Sequence, residues 1–325
     1  MRVFAGGYDG PGGQGVGEIH LRQDQRSFKG ARWDHSAPDP SYLTVNREGT
    51  RLYACCEGPV SFAAAWDISG GGMKYLGKKQ ASGRDACHVC LSPDERFLYA
   101  ANYASGSLDV FELTDGGIGE RIETIQNHGR GVDPDRQEGP HAHCAAFAPG
   151  GQYLCLCDLG LDQIIVYRQD KETGRLTEAS RCGMPGGLGV RHIAFRGLTA
   201  FACHEMGSAV SRLSYDDGKL TVEKTVSLLG DEWRGRSFCA AVRIWEDKVF
   251  VSNRGKDTVS VLDKELNIVG EIPTHGHWPR DIWILPGGNL LCANQYSGNL
   301  TIVSPEGEKL DEMSAPGVSG LAAAY

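Results

Sequence analysis

Seven short strand-like segments, each closing on a small or polar residue, recur along this chain, and their spacing limits the possible folds. They are VFAGG ending at Gly7, LYACC at Cys56, LYAAN at Asn102, LCLCD at Asp158, FACH at His204, VFVSN at Asn253 and LLCAN at Asn294. Successive end points lie 49, 46, 56, 46, 49 and 41 residues apart, the period of a four-stranded propeller blade. Every segment but the first has a partner strand just upstream, such as Ser41-Tyr42-Leu43, His88-Val89-Cys90, His192-Ile193-Ala194-Phe195 or Asp281-Ile282-Trp283. Turn signals join the pairs, clearest in Ser92-Pro93-Asp94-Glu95 and Pro286-Gly287-Gly288. A third alternating strand usually follows, as in QIIVYRQ and TVSVLDK.

The first repeat lacks its upstream strand, and the chain ends in an unpaired one, Gly317 to Tyr325. Laying that tail beside Val3–Gly7 completes a seventh blade and removes the open sheet edges of a linear array. A β-helix would repeat at a shorter interval, and a pair of sandwiches would not split a repeat across the termini. The expected architecture is all-β: one domain over residues 1–325, a seven-bladed propeller with four antiparallel strands per blade.

A composition with 44 Gly and 14 Pro suits many short strands and tight turns. The formal net charge is −8 and no Lys/Arg run exists, so nucleic acid and anionic membranes are not expected partners. An anionic small molecule would need a local cluster of arginines. No apolar leader or segment of bilayer-spanning length is present, so a cytoplasmic location is expected. The 11 Cys read as reduced thiols acting as small hydrophobes. Cys87-His88-Val89-Cys90 resembles half a zinc site, but no second pair accompanies it, so no metal is expected. Gly10 to Gly17 lacks the Lys-Ser/Thr of a phosphate loop and reads as a flexible turn at the funnel mouth.

Antiparallel pairing brings the starts of the first strands and the ends of the second strands to one face around the channel. The first set contains His141, His143, Arg191, His192 and Arg280. The second contains Glu57, Asn102, Tyr103, Asp158, His204, Glu205, Asn253, Arg254, Asn294 and Gln295. The opposite ends carry ordinary turns. Polar strand ends that merely meet solvent would account for the Asn and Asp positions. They account poorly for histidines, arginines and a glutamate directed into one funnel.

Gln137-Glu138-Gly139-Pro140-His141-Ala142-His143, Asp158-Leu159-Gly160, Arg191-His192, Ser252-Asn253-Arg254-Gly255 and Pro279-Arg280-Asp281 resemble the propeller-type 6-phosphogluconolactonase family. That family also includes fungal carboxymuconate-lactonizing enzymes. The resemblance implies a site without metal or other cofactor, carried by His143, Arg191, Glu205 and Arg254. It departs from the pattern at Ala241, where many relatives have Glu, and at His204, where Asn is common. The turns around Gly197 and Glu246-Asp247 are also altered.

On this reading Glu205 or His143 is the general base on water, and both remain open at this point. Arg191 and Arg254 would hold the oxyanion. Arg280, with Arg136 or Arg236, would clamp a phosphate or carboxylate. Substrate-binding roles are expected for His141, His192, Arg280, Glu57, Asn253 and Gln295. The expected partner is a small anionic sugar lactone, with the protein a monomer or small homo-oligomer. A different lactone, a lactonizing cyclase and a non-catalytic binding platform are the alternatives. A serine hydrolase elbow is absent.

Overall fold

Among the described residues, alternating apolar positions build 28 strands, β1 to β28 in chain order, arranged as seven four-stranded antiparallel sheets. The computed structural model describes residues 1–10, 12–13, 15–230 and 232–324. Pro11 and Gln14 of the glycine-rich turn, and Tyr325 of the terminal strand, lie outside the described residues. Among those described there is no helix, hence no helix long and apolar enough to cross a membrane.

The innermost strand of each blade is the upstream partner read from the sequence. These are β4 (Pro40–Val45), β8 (Ala86–Leu91), β12 (Ala142–Phe147), β16 (Val190–Arg196), β20 (Phe238–Trp245), β24 (Pro279–Ile284) and β28 (Val318–Ala324). Each packs against the next around the axis, β24 against β28 and β28 against β4, so the ring closes. The seventh sheet runs β28-β1-β2-β3, with β1 at Arg2–Gly7. Phe4 of β1 pairs with Ala322 and Ala5 with Leu321. The C-terminal strand thus completes the blade that the N-terminus begins, as the half-repeats at the two ends imply.

Crowding at the axis explains the small residues. A Cβ on Gly6 would come 2.1 Å from the Pro40 carbonyl oxygen, and one on Gly320 would come 2.6 Å from that of Ser41. Neither approach is tolerable, so glycine lets neighbouring blades meet there. Between blades the core is apolar, for example Leu154, Leu156 and Ile165 packed with Tyr99 and Leu108 of the preceding blade. All cysteines but Cys90 are buried, and all are free thiols. The altered turns are tight two-residue hairpins: Arg196 pairs with Thr199 and Trp245 with Lys248, and Gly197 and Glu246 adopt φ of 54° and 52°.

One irregularity recurs in every blade. The register of each innermost strand slips near its start, leaving a residue without a cross-strand partner. The skipped residues are Ser41, Cys87, His143, Arg191, the pair Ala240 and Ala241, Arg280 and Ser319. A bulge of this kind bends the strand and re-aims the extra side chain. Repeated around a propeller, it delivers a ring of such residues to one level of the channel.

Candidate active site

Two rings of side chains meet at that level. The first is the bulge ring just described. The second comes from the residue that follows each strand-end residue of β5 (Arg51–Cys56), β9 (Phe97–Asn102), β17 (Thr199–His204) and their counterparts. The strand-end residues themselves turn into the blades. Asn102 donates from Nδ2 to Ser107 and Asp109, Asn253 to Thr258 and Ser260, and Asn294 to Thr301. Asp158 accepts from the backbone of His141 and Leu161, and His204 Nε2 bonds the Ser211 hydroxyl at 2.6 Å. These positions hold third strands and loops in place and do not face the channel. Asn253 is therefore structural here, contrary to its expected binding role.

The next residue along faces inward. Glu57, Tyr103, Glu205 and Arg254 join Cys87, His143 and Arg280 of the bulge ring, and Arg136 from the loop before β12, around a cavity of about 190 Å³. Glu205 lies at its electrostatic centre. Its Oε1 accepts from Arg136 Nη2 at 2.7 Å. Its Oε2 accepts from Arg254 Nη2 at 2.6 Å and Arg191 Nε at 3.1 Å. Burial alone would raise this carboxyl, but Arg254 and Arg191 outweigh it and hold Glu205 well below the usual carboxylate range.

Arg191 does not line the cavity. Its Nη1 donates to the Ala240 carbonyl at 2.6 Å and meets His192 Nε2 at 3.0 Å, and its Nε donates to Glu205, which ties the guanidinium to the scaffold behind Glu205. Arg254 is anchored from Nη2 to the Cys239 carbonyl at 3.1 Å and sits beneath the Trp278 ring. Arg280 differs from both. Among the described residues it has no protein hydrogen bond, and its nearest carboxylate, Glu57, is 3.9 Å away. Glu57 is instead bonded by the Tyr8 hydroxyl at 2.8 Å.

His143 is buried beside Cys87, whose Sγ is 3.8 Å from its Nδ1. Burial, then Arg191, push its titration well below that of a free imidazole. It is therefore neutral at physiological pH, with a lone pair available.

Other expected site residues lie around this cavity. His141 stacks on Tyr103, centroids 4.5 Å apart, and props that ring from outside. Gln295 is not part of the lining, and its Oε1 is buried without a partner among the described residues. His192 follows the bulge residue Arg191, one level deeper, and lines a different cavity at the turn end of the channel. That placement corrects its expected part in the substrate mouth. Arg236 is exposed and apart from the lining. Cys87 is the residue that sequence reasoning passed over. It occupies in the third blade the position of His143 in the fourth, and aligning the repeats at the bulge would have marked it.

A closed seven-bladed ring of this kind matches a known class. Residues 2–315 match the model of the family described as "Lactonase, 7-bladed beta-propeller", and the chain belongs to that family. It is 30% identical over 321 residues to the 6-phosphogluconolactonase of Bacillus subtilis, covering 94% of this chain and 91% of that protein. Its structure is similar to that of a periplasmic gluconolactonase from Pseudomonas aeruginosa, with a TM-score of 0.92, 26% identity and 98% of each chain covered. A Lactobacillus plantarum protein is similar at a TM-score of 0.89 and 27% identity, again over 98% of each chain.

Proposed function

We propose that this chain hydrolyses 6-phosphogluconolactone, or a closely similar anionic sugar lactone, to the open acid. The observation that carries the reading is Arg280: a guanidinium facing the cavity with no protein hydrogen bond among the described residues, next to Arg136 and Arg254. Three guanidiniums against two carboxylates leave the lining electropositive inside a protein of net charge −8. A cavity of about 190 Å³ suits a single-ring ligand, being smaller than the ~300–1,000 Å³ of drug-sized sites. The named activities of the Bacillus and Pseudomonas relatives agree with this substrate class.

In the proposed mechanism His143 takes a proton from a water molecule, whose oxygen attacks the lactone carbonyl. Arg254 donates to the oxyanion as it forms, in a site where a preorganised donor acts more strongly than in water. Collapse of the tetrahedral intermediate breaks the bond to the ring oxygen, which leaves with the proton held by His143. Glu205 is a poor base because three guanidiniums stabilise its charged form. Its part is to hold Arg136, Arg191 and Arg254 in position. Arg191 acts through Glu205 and is a positioning residue. Arg280 takes the phosphate, for which a planar fork is suited.

The test is hydrolysis of freshly generated 6-phosphogluconolactone coupled to the next dehydrogenase, with spontaneous hydrolysis subtracted and unphosphorylated gluconolactone run in parallel. His143→Ala is expected to lower kcat by about 10²–10⁴. Arg280→Ala is expected to raise KM roughly 10–100-fold for the phosphorylated lactone, the loss of one charge-assisted contact, and much less for the other. Wild-type rates equal to background would dismiss the substrate. Equal effects of Arg280→Ala on both lactones would dismiss the phosphate assignment.

A further inference from the structure

The level of the channel below the lactonase cavity holds a separate cluster. His88, Cys144 and His192 place ligand-type atoms within 4.8 Å of one another, all three residues buried. They line a cavity of about 520 Å³ at the turn end, together with Tyr42, Arg243 and Trp283. Two imidazoles and a sulfur would suggest a metal, but the hydrogen bonds oppose it. The Ala145 backbone N–H, which can only donate, lies 3.4 Å from His88 Nδ1. Arg191 Nη1, likewise a donor, lies 3.0 Å from His192 Nε2. Each neutral imidazole therefore has its lone pair engaged and its proton on the other nitrogen. Metal-bound histidines show the reverse, donating from the free nitrogen to a carbonyl or carboxylate.

The same tautomers suit an anionic sulfur. With Nδ1 accepting, His88 carries its proton on Nε2, which is 3.4 Å from Cys144 Sγ. Across the β12–β13 ladder, with β13 at Tyr153–Asp158, Cys144 pairs directly with Cys157. Among the described residues no other cysteine pair is registered this way. Side chains of a directly opposed antiparallel pair lie on the same face, and Cα atoms of such pairs are ~4.5–5.5 Å apart, within the disulfide range. Burial works to raise the Cys144 thiol, but the Cys157 hydrogen bond and His88 hold it well below the ordinary range, while Cys157 goes up.

We propose that Cys144 and Cys157 are a dithiol oxidised to a disulfide by small hydroperoxides entering the turn end of the channel, with the His88 Nε2–H directed at the attacking sulfur. The Cys144 sulfur attacks a peroxide oxygen and the O–O bond breaks. The Cys144 thiol proton passes to the leaving alkoxide or hydroxide as the S–O bond forms, and a sulfenic acid remains. Cys157 then attacks that sulfur, the S–S bond forms, and hydroxide departs with the Cys157 proton as water. Two thiols and one hydroperoxide give one disulfide, one alcohol or water, and one further water. The site is independent of the lactonase reading.

The experiment exposes the reduced full-length protein to hydrogen peroxide at low molar excess, quenches with an alkylating agent and maps the peptides. A Cys144–Cys157 cross-link is expected before any other cysteine is oxidised. In Cys157→Ala, Cys144 should be trapped as a sulfenic acid by a 1,3-dione probe. His88→Phe should slow cross-linking about tenfold by removing the donor to the thiolate. Oxidation of other cysteines first, or an unchanged rate in His88→Phe, would overturn the proposal. Should Cys157→Ala not fold, the wild-type map and His88→Phe still decide it.

Discussion

Replacing Glu205 with glutamine is expected to destabilise the protein and abolish activity together, because three guanidiniums share this one carboxylate as a partner. Arg136, Arg191 and Arg254 all reach Glu205 within 3.1 Å, and Arg191 and Arg254 are themselves buried. Removing one partner of a buried ion pair leaves an uncompensated charge, at a cost of about 3–5 kcal/mol. For a chain of this length that is a drop in Tm of about 4–7 °C, taking ~2.1 cal/mol/K of unfolding entropy per residue. Activity should fall by at least roughly 10³, since the oxyanion donor Arg254 loses its carboxylate anchor. Thermal denaturation with and without inorganic phosphate checks the cause. Phosphate in the cavity would supply the missing anion, so it should raise the Tm of Glu205→Gln more than that of the wild type. An unchanged Tm in the variant would mean the cluster does not depend on this carboxylate.

The sequence makes the scaffold legible and blurs the level of the site. Repeats such as LYACC, LYAAN and LCLCD are local in the chain, and each carries the strand pattern and turn that place it in a blade. The two half-repeats at the termini left one closure, which β28 and β1 make. The channel is harder because period-two alternation predicts facing only where the ladder is regular. Asn253 and His192 were expected at the mouth on strand position alone. The first turns into its blade toward Ser260, and the second sits one residue past a bulge, at the next level down. Bulges carry no residue signature of their own, and the skipped positions here run from Ser41 to Arg280 with no shared chemistry. Ala241 shows the same limit. It is fully buried in an apolar cluster with Phe250 and Ile282, and its backbone N–H donates to the Ser252 hydroxyl at 3.0 Å. Packing and a backbone hydrogen bond thus occupy the place where the resemblance implies a glutamate.

Stability should fall steeply as the pH drops below about 6.5, well before carboxylates titrate. Burial pushes His143 and His192 well below the ordinary imidazole value of 6.5, and lowers His204 to about 4. For each, the folded state prefers the neutral form, so its contribution is complete above the unfolded value of 6.5. It is lost as pH falls from there toward the folded value, because only the unfolded chain takes up the proton. Three such groups give a slope approaching about 4 kcal/mol per pH unit below roughly pH 6, easing as the His204 value of about 4 is neared. At a further unit down, protonation of the unfolded counterpart of Glu205 adds to the loss, since its folded value is depressed. Against a typical stability of ~5–15 kcal/mol, the fold should not survive far below pH 5. Tm measured at pH 7.5 and 5.5 should differ by about 6 °C or more, at ~2.1 cal/mol/K of unfolding entropy per residue. His204→Asn removes one of the three protons, so its slope should be about two-thirds that of the wild type. His204 makes its bond to Ser211 away from the cavity, which separates this effect from catalysis. A Tm that stays flat from pH 7.5 to 5.5 would mean that these histidines are already charged in the folded protein. His143 would then have no lone pair to offer a water molecule, and the proposed base would fail with the stability argument.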